Sequence, residues 1–271
     1  MPTSQLRKYF ISASNEIDNG MRSLLSGEND EFSHFARNMH AFIHERIDAL
    51  FILIQTGCLW DADMILRSVA EASIKLIFVS IQLADERNNK ALEFWVDIAE
   101  INQIKQAKQA EAVVENLKDT DFNPLHIEPI TMSKNDLDRL TKKWPRNKRQ
   151  RILQSWSYNE MVKQIAAKTD NKTIESLARN FTQSSHLIHA DETALGVIND
   201  RKNRTPEEKN ALIILHERRL LSDCITLYSY PLRILAKDVY KKTIDGSFET
   251  TILKFNESAS LLEKYQEFIT P

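Results

Sequence analysis

The sequence predicts an all-α protein, because its glycine and proline content and its apolar spacing all favour helices. Only five of the 271 residues are glycine and seven are proline, whereas a protein built of strands and tight turns needs these residues often. No proline occurs between residues 3 and 123, so long helices can run there without interruption. Apolar residues recur at three- and four-residue intervals, the spacing of an amphipathic helix.

Four helices are predicted in the first part of the chain. The first ends near Gly27 and the second near Gly57, because glycine readily adopts the left-handed conformation that closes a helix. The third is apolar on most of its circumference, which is typical of a central helix. The fourth helix begins with the apolar residues Leu92, Trp95 and Ile98 and becomes polar further along. Its C-terminal end is therefore expected to project into solvent. These predicted helices span residues 6–24, 31–56, 60–84 and 89–118.

Residues 119–132 contain two prolines and little periodicity, and they predict an irregular connection. Ser133 is a candidate cap for a short helix, and further helices are predicted around residues 158–167, within residues 178–193 and from residue 247. We therefore predict one helical-bundle domain over residues 1–271, of about eight helices, with an irregular and basic insertion at residues 119–157.

The clearest helix start lies after a predicted loop at residues 200–204. There Thr205 can act as the N-cap, Pro206 occupies the first helical position, and Glu208 follows three residues after the cap. This pattern predicts a capping box. The helix is expected to run to about residue 242, with a kink near Pro231.

Composition narrows the class of protein. The 36 lysines and arginines nearly balance the 38 acids, so any affinity for nucleic acid or acidic lipid must be local. The two cysteines are isolated, which argues against a disulfide framework and favours a reducing cytosol. The N-terminal residues lack the features of a secretory signal. We therefore expect a cytoplasmic protein.

The third helix carries a ladder of charges at four-residue intervals, formed by Asp63, Arg67, Glu71 and Lys75. Charges in the middle of this apolar stretch argue against a membrane span. One interpretation is a solvent-facing stripe of salt bridges, which is common on helices. The other is that Arg67 and Glu71 form a partly buried pair that lines a cleft.

Residues 178–193, ARNFTQSSHLIHADET, place two polar pairs on what is predicted to be one helix. Arg179 and His186 lie seven residues apart on the face opposite the apolar one. Ser185 and His189 border the apolar face, which is expected to continue to Leu195 and to point to the core. Ser185 and His189 could be a hydrogen-bonded pair at the edge of the core, and Arg179 and His186 could simply be exposed.

Residues 142–151, KKWPRNKRQR, contain six positive charges and no acid. Arg146, Lys148 and Arg149 could contact phosphates while Trp144 stacks on a base. The alternative is a solvated basic loop that acids elsewhere balance. His40 and His44 lie four residues apart on the second helix, but no metal-binding pattern accompanies them. Phosphate-binding loops and nucleophile elbows are also absent from the sequence, so neither a metal nor another cofactor is predicted.

Two segments resemble a bacterial family that is classed only as a domain of unknown function. Its members carry Leu-Arg-x-x-x-Glu-Ala, then a tryptophan-containing segment, then Ser-x-x-x-His. The similarity covers roughly residues 40–200, and it implies a functional role for four of the polar residues. The matching residues are Leu66, Arg67, Glu71, Ala72, Trp156, Ser185 and His189.

A more distant resemblance is to the HEPN superfamily, helical proteins many of which are metal-independent ribonucleases in toxin and phage-defence systems. Their motif is an arginine, often followed by a polar residue, with four to six residues before a histidine. Arg179, Asn180 and His186 meet this pattern at its upper limit of spacing. The resemblance implies a HEPN-like fold, a homodimer and RNA cleavage, in which the histidine moves a proton and the arginine stabilises the charged phosphorane.

Two functional hypotheses follow. In the first, the chain is a HEPN-like protein that acts on or binds RNA, with Arg179 and His186 as catalytic residues. In the second, it is a non-catalytic module in which Arg67, Glu71, Ser185 and His189 form a polar pocket for a small ligand or a partner protein. Because ionised groups on apolar helices need partners, we also expect Arg67 and Glu71 to lie in one cleft with Ser185 and His189.

Overall fold

A computed structural model describes residues 2–27, 29–118, 131–169, 174 and 191–269 of the chain. Every regular element within these residues is helical, which confirms the all-α prediction. The four predicted residues Arg179, Ser185, His186 and His189 lie outside the described residues, as does most of the predicted connection at 119–132. In the described ranges, no helix combines the length and apolar character needed to cross a membrane.

The first three helices are α1 (Ser4–Leu25), α2 (Glu31–Gln55) and α3 (Leu59–Ser80). Gly27 and Gly57 follow α1 and α2 with φ of 88° and 82°, the left-handed conformation that the sequence predicted. Asp30 caps α2 by accepting a hydrogen bond from the backbone N of Ser33 at 2.8 Å. The ends of these helices are therefore encoded locally.

The break after α3 differs from the sequence prediction. α3 ends at Ser80, and α4 (Ala84–Leu92) begins within the stretch assigned to the preceding helix. Arg87 donates from Nε to the backbone O of Ser80 at 2.9 Å, which satisfies a carbonyl at the end of α3. A π-helical turn (Glu93–Ile98) then connects α4 to α5 (Ala99–Leu117).

The predicted irregular insertion is largely helical where the structure describes it, because it contains α6 (Lys134–Lys143) and α7 (Arg146–Ser155). Ser133 caps α6 as predicted, accepting from the backbone N of Asp136. Ile101 and Ile104 of α5 pack with Leu140 and Trp144 in a small separate core. α6 therefore covers the start of α5, and residues 111–117 beyond it are mostly exposed.

The C-terminal part contains α8 (Tyr158–Thr169), α9 (Glu192–Asn203), α10 (Pro206–Ile234) and α11 (Gly246–Ser260). The predicted capping box is present: the backbone N of Glu208 donates to Thr205 Oγ1 at 3.2 Å, and that of Thr205 to Glu208 Oε2 at 2.7 Å. α10 runs through Pro231 into a π-helical turn (Leu235–Val239), and a 3₁₀ turn (Glu263–Phe268) follows α11.

The bounds and exposure of α9 correct three predictions. Asp191 caps this helix through its side chain, which accepts from the backbone N of Thr193 and Ala194, so a new helix begins where one helix was expected to continue. Leu195 is 56% exposed and does not belong to an apolar face that points to the core. The loop predicted at residues 200–204 is largely the end of α9.

α3 lies at the centre of the bundle and packs against α2, α8 and α10. Its residues Leu66, Val69, Ile74 and Phe78 are at most 2% exposed. α1 packs against α10 and α11, and the Arg7 guanidinium donates to both carboxylate oxygens of Glu217 at 2.5 and 2.8 Å. The central position of α3 brings its charged ladder against several neighbouring helices.

Candidate ligand-binding pocket

The N-terminal end of the charged ladder on α3 is buried. Asp63 is 4% exposed, and its carboxylate accepts hydrogen bonds from His216 Nε2 and Arg219 Nη2, both at 2.6 Å. Burial alone would raise the pKa of Asp63, but the His216 hydrogen bond and the Arg219 charge outweigh it and hold this pKa below its ordinary value. The interpretation of the ladder as a solvent-facing stripe is therefore wrong at Asp63.

The C-terminal end of the ladder is half-buried. Lys75 Nζ donates to Glu71 Oε1 at 2.6 Å, and Arg67, one turn before Glu71, is also half-buried. Glu71 Oε2 makes no hydrogen bond within the described part of the chain, so it can still accept one. Burial and the charge of Glu71 raise the pKa of Tyr158 on α8.

A cavity of about 480 Å³ opens beside the Glu71–Lys75 pair, between α2, α3 and the π-helical turn. This volume is in the range of small-molecule sites. Its described lining combines hydrogen-bonding groups with aromatic rings, and we call it the Glu71 pocket. The polar residues are Asn38, Ser68, Glu71 and Lys75, and the aromatic residues are Phe42, Phe94 and Trp95.

The π-helical turn supplies two of these rings. Phe35 of α2 is fully buried and makes edge contacts with the rings of Phe94 and Trp95, with centroids 5.3 and 6.3 Å away. The extra residue in a π turn shifts the side chains that follow, and such turns occur often at functional sites. Trp95 remains 38% exposed and Phe42 43% exposed, so both can contact a ligand.

The prediction that the fourth helix begins with an apolar face is therefore only partly correct. Leu92 and Trp95 are each 38% exposed, and no periodic pattern distinguishes a π turn from ordinary helix. The sequence reasoning missed Phe94 and Trp95 as pocket residues. One signal in the sequence could have indicated them: two aromatic residues stand side by side in EFWVD. Neighbouring residues of a regular helix point in different directions, so both rings cannot be fully buried on one apolar face.

A cation borders the Glu71 pocket at Phe42. The guanidinium carbon of Arg46 lies 5.2 Å from the centroid of the Phe42 ring, within the range of a cation–π contact. The Nε of Arg46 is buried, and no described residue accepts a hydrogen bond from it. Because this atom is closed to solvent, an anionic group of a ligand could reach Arg46 only through its other guanidinium nitrogens, of which Nη2 already lies 3.8 Å from Glu45 Oε2.

The other side of the π-helical turn is acidic and holds two tryptophans of the predicted basic insertion. Trp144 Nε1 donates to Glu100 Oε2 at 2.7 Å, and Trp156 Nε1 donates to Glu93. Burial and the charges of Glu93 and Glu100 raise the pKa of Asp97, although Lys143 and Lys148 oppose this effect. These acids balance part of the positive charge of α6 and α7.

Trp144 does not suit the base-stacking role expected for it. It is 2% exposed, and Lys148 Nζ lies 4.2 Å from the centroid of its ring, so a nucleic-acid base has no open face on which to stack. Arg146 and Lys148 are exposed and Arg149 is half-buried. The phosphate contacts predicted for these three residues stay a prediction.

The predicted cleft between Arg67, Glu71 and the pair Ser185 and His189 also stays a prediction, because the second pair lies outside the described residues. The two histidines of α2 have other partners. His40 Nε2 bonds to Asp18 Oδ1 at 2.8 Å, and His44 Nδ1 bonds to the Tyr228 hydroxyl at 2.9 Å. Both contacts hold α2 against neighbouring helices.

Comparison with known proteins assigns the chain to a family but to no activity. Residues 34–206 match a family of unknown function, DUF5677. This match covers more than half of the chain, and the chain belongs to that family. Searches of curated proteins and of solved structures found no match. The family region contains all the described residues that line the Glu71 pocket.

Proposed function

We propose that the chain is a helical binding module whose Glu71 pocket takes a flat heteroaromatic ring, in particular an unstacked base of single-stranded RNA. The observation that carries this proposal is the combination of Phe42, Phe94 and Trp95 with the Glu71–Lys75 pair around one cavity. Proteins that read single-stranded RNA stack its bases on aromatic side chains and hydrogen-bond their edges.

Each group has a distinct role in this proposal. The exposed face of Trp95 supplies stacking. Glu71 Oε2, which has no hydrogen-bond partner among the described residues, accepts a hydrogen bond from an amino or imino N–H of the base. The Lys75 ammonium donates to a ring nitrogen or carbonyl oxygen. Arg46, at the side of Phe42, contacts a phosphate.

Substitution at the pocket should separate base recognition from general charge attraction. We expect Trp95→Ala to weaken binding of a short single-stranded RNA roughly tenfold to hundredfold, the usual effect of removing one stacking ring. Glu71→Gln should weaken it by about tenfold, because one charged acceptor is lost. Fluorescence anisotropy with labelled RNA in EDTA measures both effects.

The matched control is Phe268→Ala, which removes a ring that is 55% exposed and does not line the pocket. Its affinity should equal that of the native chain. Equal affinity of native, Trp95→Ala and Glu71→Gln proteins would contradict the base pocket. Binding of free nucleotides with the same affinity as RNA would identify a small ligand as the occupant.

A second candidate function is metal-independent RNA cleavage of the HEPN type by Arg179 and His186. The spacing of these two residues in the sequence favours it, and the chemistry needs only an imidazole to take the 2′-hydroxyl proton and an arginine to stabilise the phosphorane. A homodimer would be expected, since a second subunit could complete the cleft. The resemblance to HEPN proteins would then also imply a role in toxin or phage-defence systems.

His186→Ala tests this candidate directly. We expect the variant to bind RNA as the native chain does but to lose cleavage in EDTA, and the native products should end in a 2′,3′-cyclic phosphate. Trp95→Ala is the matched comparison, since it should lower binding without changing the product ends. Equal cleavage by native and His186→Ala proteins, or no cleavage of any RNA by the native chain, would remove the ribonuclease candidate. So would full cleavage by a monomer at high dilution.

A further inference from the structure

A second cavity, of about 410 Å³, lies between the start of α3, α9 and α10. It shares no described lining residue with the Glu71 pocket. Trp60 forms one wall, and Ile198 and Ile213, which are 38% and 54% exposed, form others. Half-exposed apolar side chains around a concave surface can hold an apolar part of a ligand.

The charged side chains that line this cavity are all basic. Arg201, Lys202, Lys209 and His216 belong to the described lining, and no carboxylate does. Within the described ranges these lysines and this arginine form no ion pair, and the buried Nε of Arg201 has no hydrogen-bond acceptor. His216 is paired with Asp63, but Arg201, Lys202 and Lys209 have no described counter-charge and together form a favourable site for an anion.

Neighbouring contacts fix the positions of these cations. The guanidinium carbon of Arg201 lies 4.4 Å from the centroid of the Trp60 ring, a stacked arrangement that orients the donors of arginine. Lys209 Nζ donates to the backbone O of Lys202 at 3.2 Å. The N-terminal turns of α10 and the C-terminal turns of α9 therefore hold their cations at one opening.

His216 completes the inner wall. Its ring meets Trp60 edge to face, with centroids 4.2 Å apart, and Nε2 is held by Asp63 at 2.6 Å. Nδ1 makes no hydrogen bond within the part of the chain that the structure describes. Because Nε2 donates to Asp63, Nδ1 of the neutral imidazole is an acceptor and can meet a hydroxyl or N–H group of a ligand.

We propose that this cavity binds a small organic anion, a carboxylate or phosphate group attached to an apolar ring or chain. The anion would lie between Arg201, Lys202 and Lys209, and the apolar group would pack on Trp60, Ile198 and Ile213. This arrangement uses a charged contact for orientation and apolar burial for affinity. It is independent of the RNA-binding proposal, because the two cavities use different residues.

Three naphthalene compounds test the proposal: 1-naphthyl phosphate, 1-naphthoate and the neutral 1-naphthamide. The indole N–H signal of Trp60 in a ¹H–¹⁵N spectrum, assigned with Trp60→Phe, reports on this cavity. We expect a saturable shift with the phosphate, the carboxylate or both, and none with the amide. Which anion shifts the signal at lower concentration identifies the anionic group.

Arg201→Gln should lower the affinity for the anion about tenfold, as expected for the loss of one charged hydrogen-bond donor. Because Arg201 packs on Trp60, the exposed Lys202→Gln serves as a second variant that should also weaken binding without disturbing the helix. Lys254→Gln, an exposed lysine of α11, is the matched control and should change nothing. A Trp60 signal that responds equally to the amide, or to none of the three compounds, would overturn the proposal, as would unchanged affinity in both variants.

Discussion

Asp63→Ala is expected to lower the free energy of unfolding by about 3–5 kcal/mol, the usual cost of removing one partner of a buried ion pair. The carboxylate is 4% exposed and bonds both His216 and Arg219 at 2.6 Å. Its removal leaves the buried His216 imidazole without its acceptor and leaves the Arg219 guanidinium with Asp223 alone, at 3.2 Å. Urea unfolding followed by circular dichroism measures the loss.

The pH dependence of the free energy of unfolding should also report on Asp63. The folded-state pKa of Asp63 lies below its ordinary value, so its contribution is present above the ordinary pKa and is lost as the pH falls through the folded value. In Asp63→Asn this acid-dependent loss should be smaller than in the native chain.

The matched control is Asp61→Asn, which changes an exposed carboxylate in the same turn. It should change the free energy of unfolding by less than about 0.5 kcal/mol. Equal effects of the two asparagine variants would contradict the buried network.

Phe35→Ala is expected to cost about 3–5 kcal/mol, because it opens a cavity under a fully buried ring. Phe35 also contacts Phe94 and Trp95 of the π-helical turn. Loss of this support should therefore weaken RNA binding together with stability. Thermal unfolding and fluorescence anisotropy on the same samples measure both quantities.

Phe42→Ala is the matched control, since Phe42 lies two turns further along α2 and is 43% exposed. It should cost less than about 1 kcal/mol of stability and still weaken RNA binding, because its ring lines the Glu71 pocket. A Phe42→Ala protein that loses as much stability as Phe35→Ala would contradict the division between a supporting ring and a contacting ring.

The parts of the fold that the sequence predicted are those with local signals. Gly27 and Gly57 end helices by their backbone conformation, and the capping box joins two residues, Thr205 and Glu208, that are only three positions apart in the sequence. The π-helical turn after α4 and the helix start at Asp191 were missed. A π turn has no distinct apolar period, and Asp191 was one of several polar residues in a stretch whose spacing suggested continuation.

The candidate site was predicted only in part, because it depends on which helices meet. The four-residue spacing of the ladder left open whether Arg67 and Glu71 were exposed or partly buried, and in the structure both are half-buried. It could not show that α10 would cover Asp63 or that Trp95 would border Glu71. Trp144 was read as a stacking ring from its basic neighbours, yet tertiary packing against α5 buries it. Charge content alone does not separate a binding surface from a packed one.

The most direct measurement for the Glu71 pocket is the indole N–H signal of Trp95, assigned with Trp95→Phe, during titration with a short single-stranded RNA. An abasic strand of the same length supplies the same phosphates without bases. Our account predicts a saturable shift of the Trp95 signal with RNA and little change with the abasic strand, since the ring stacks on a base. The base-binding role of the Glu71 pocket would be contradicted if the Trp95 signal did not shift when the RNA binds, or if it shifted equally with the abasic strand.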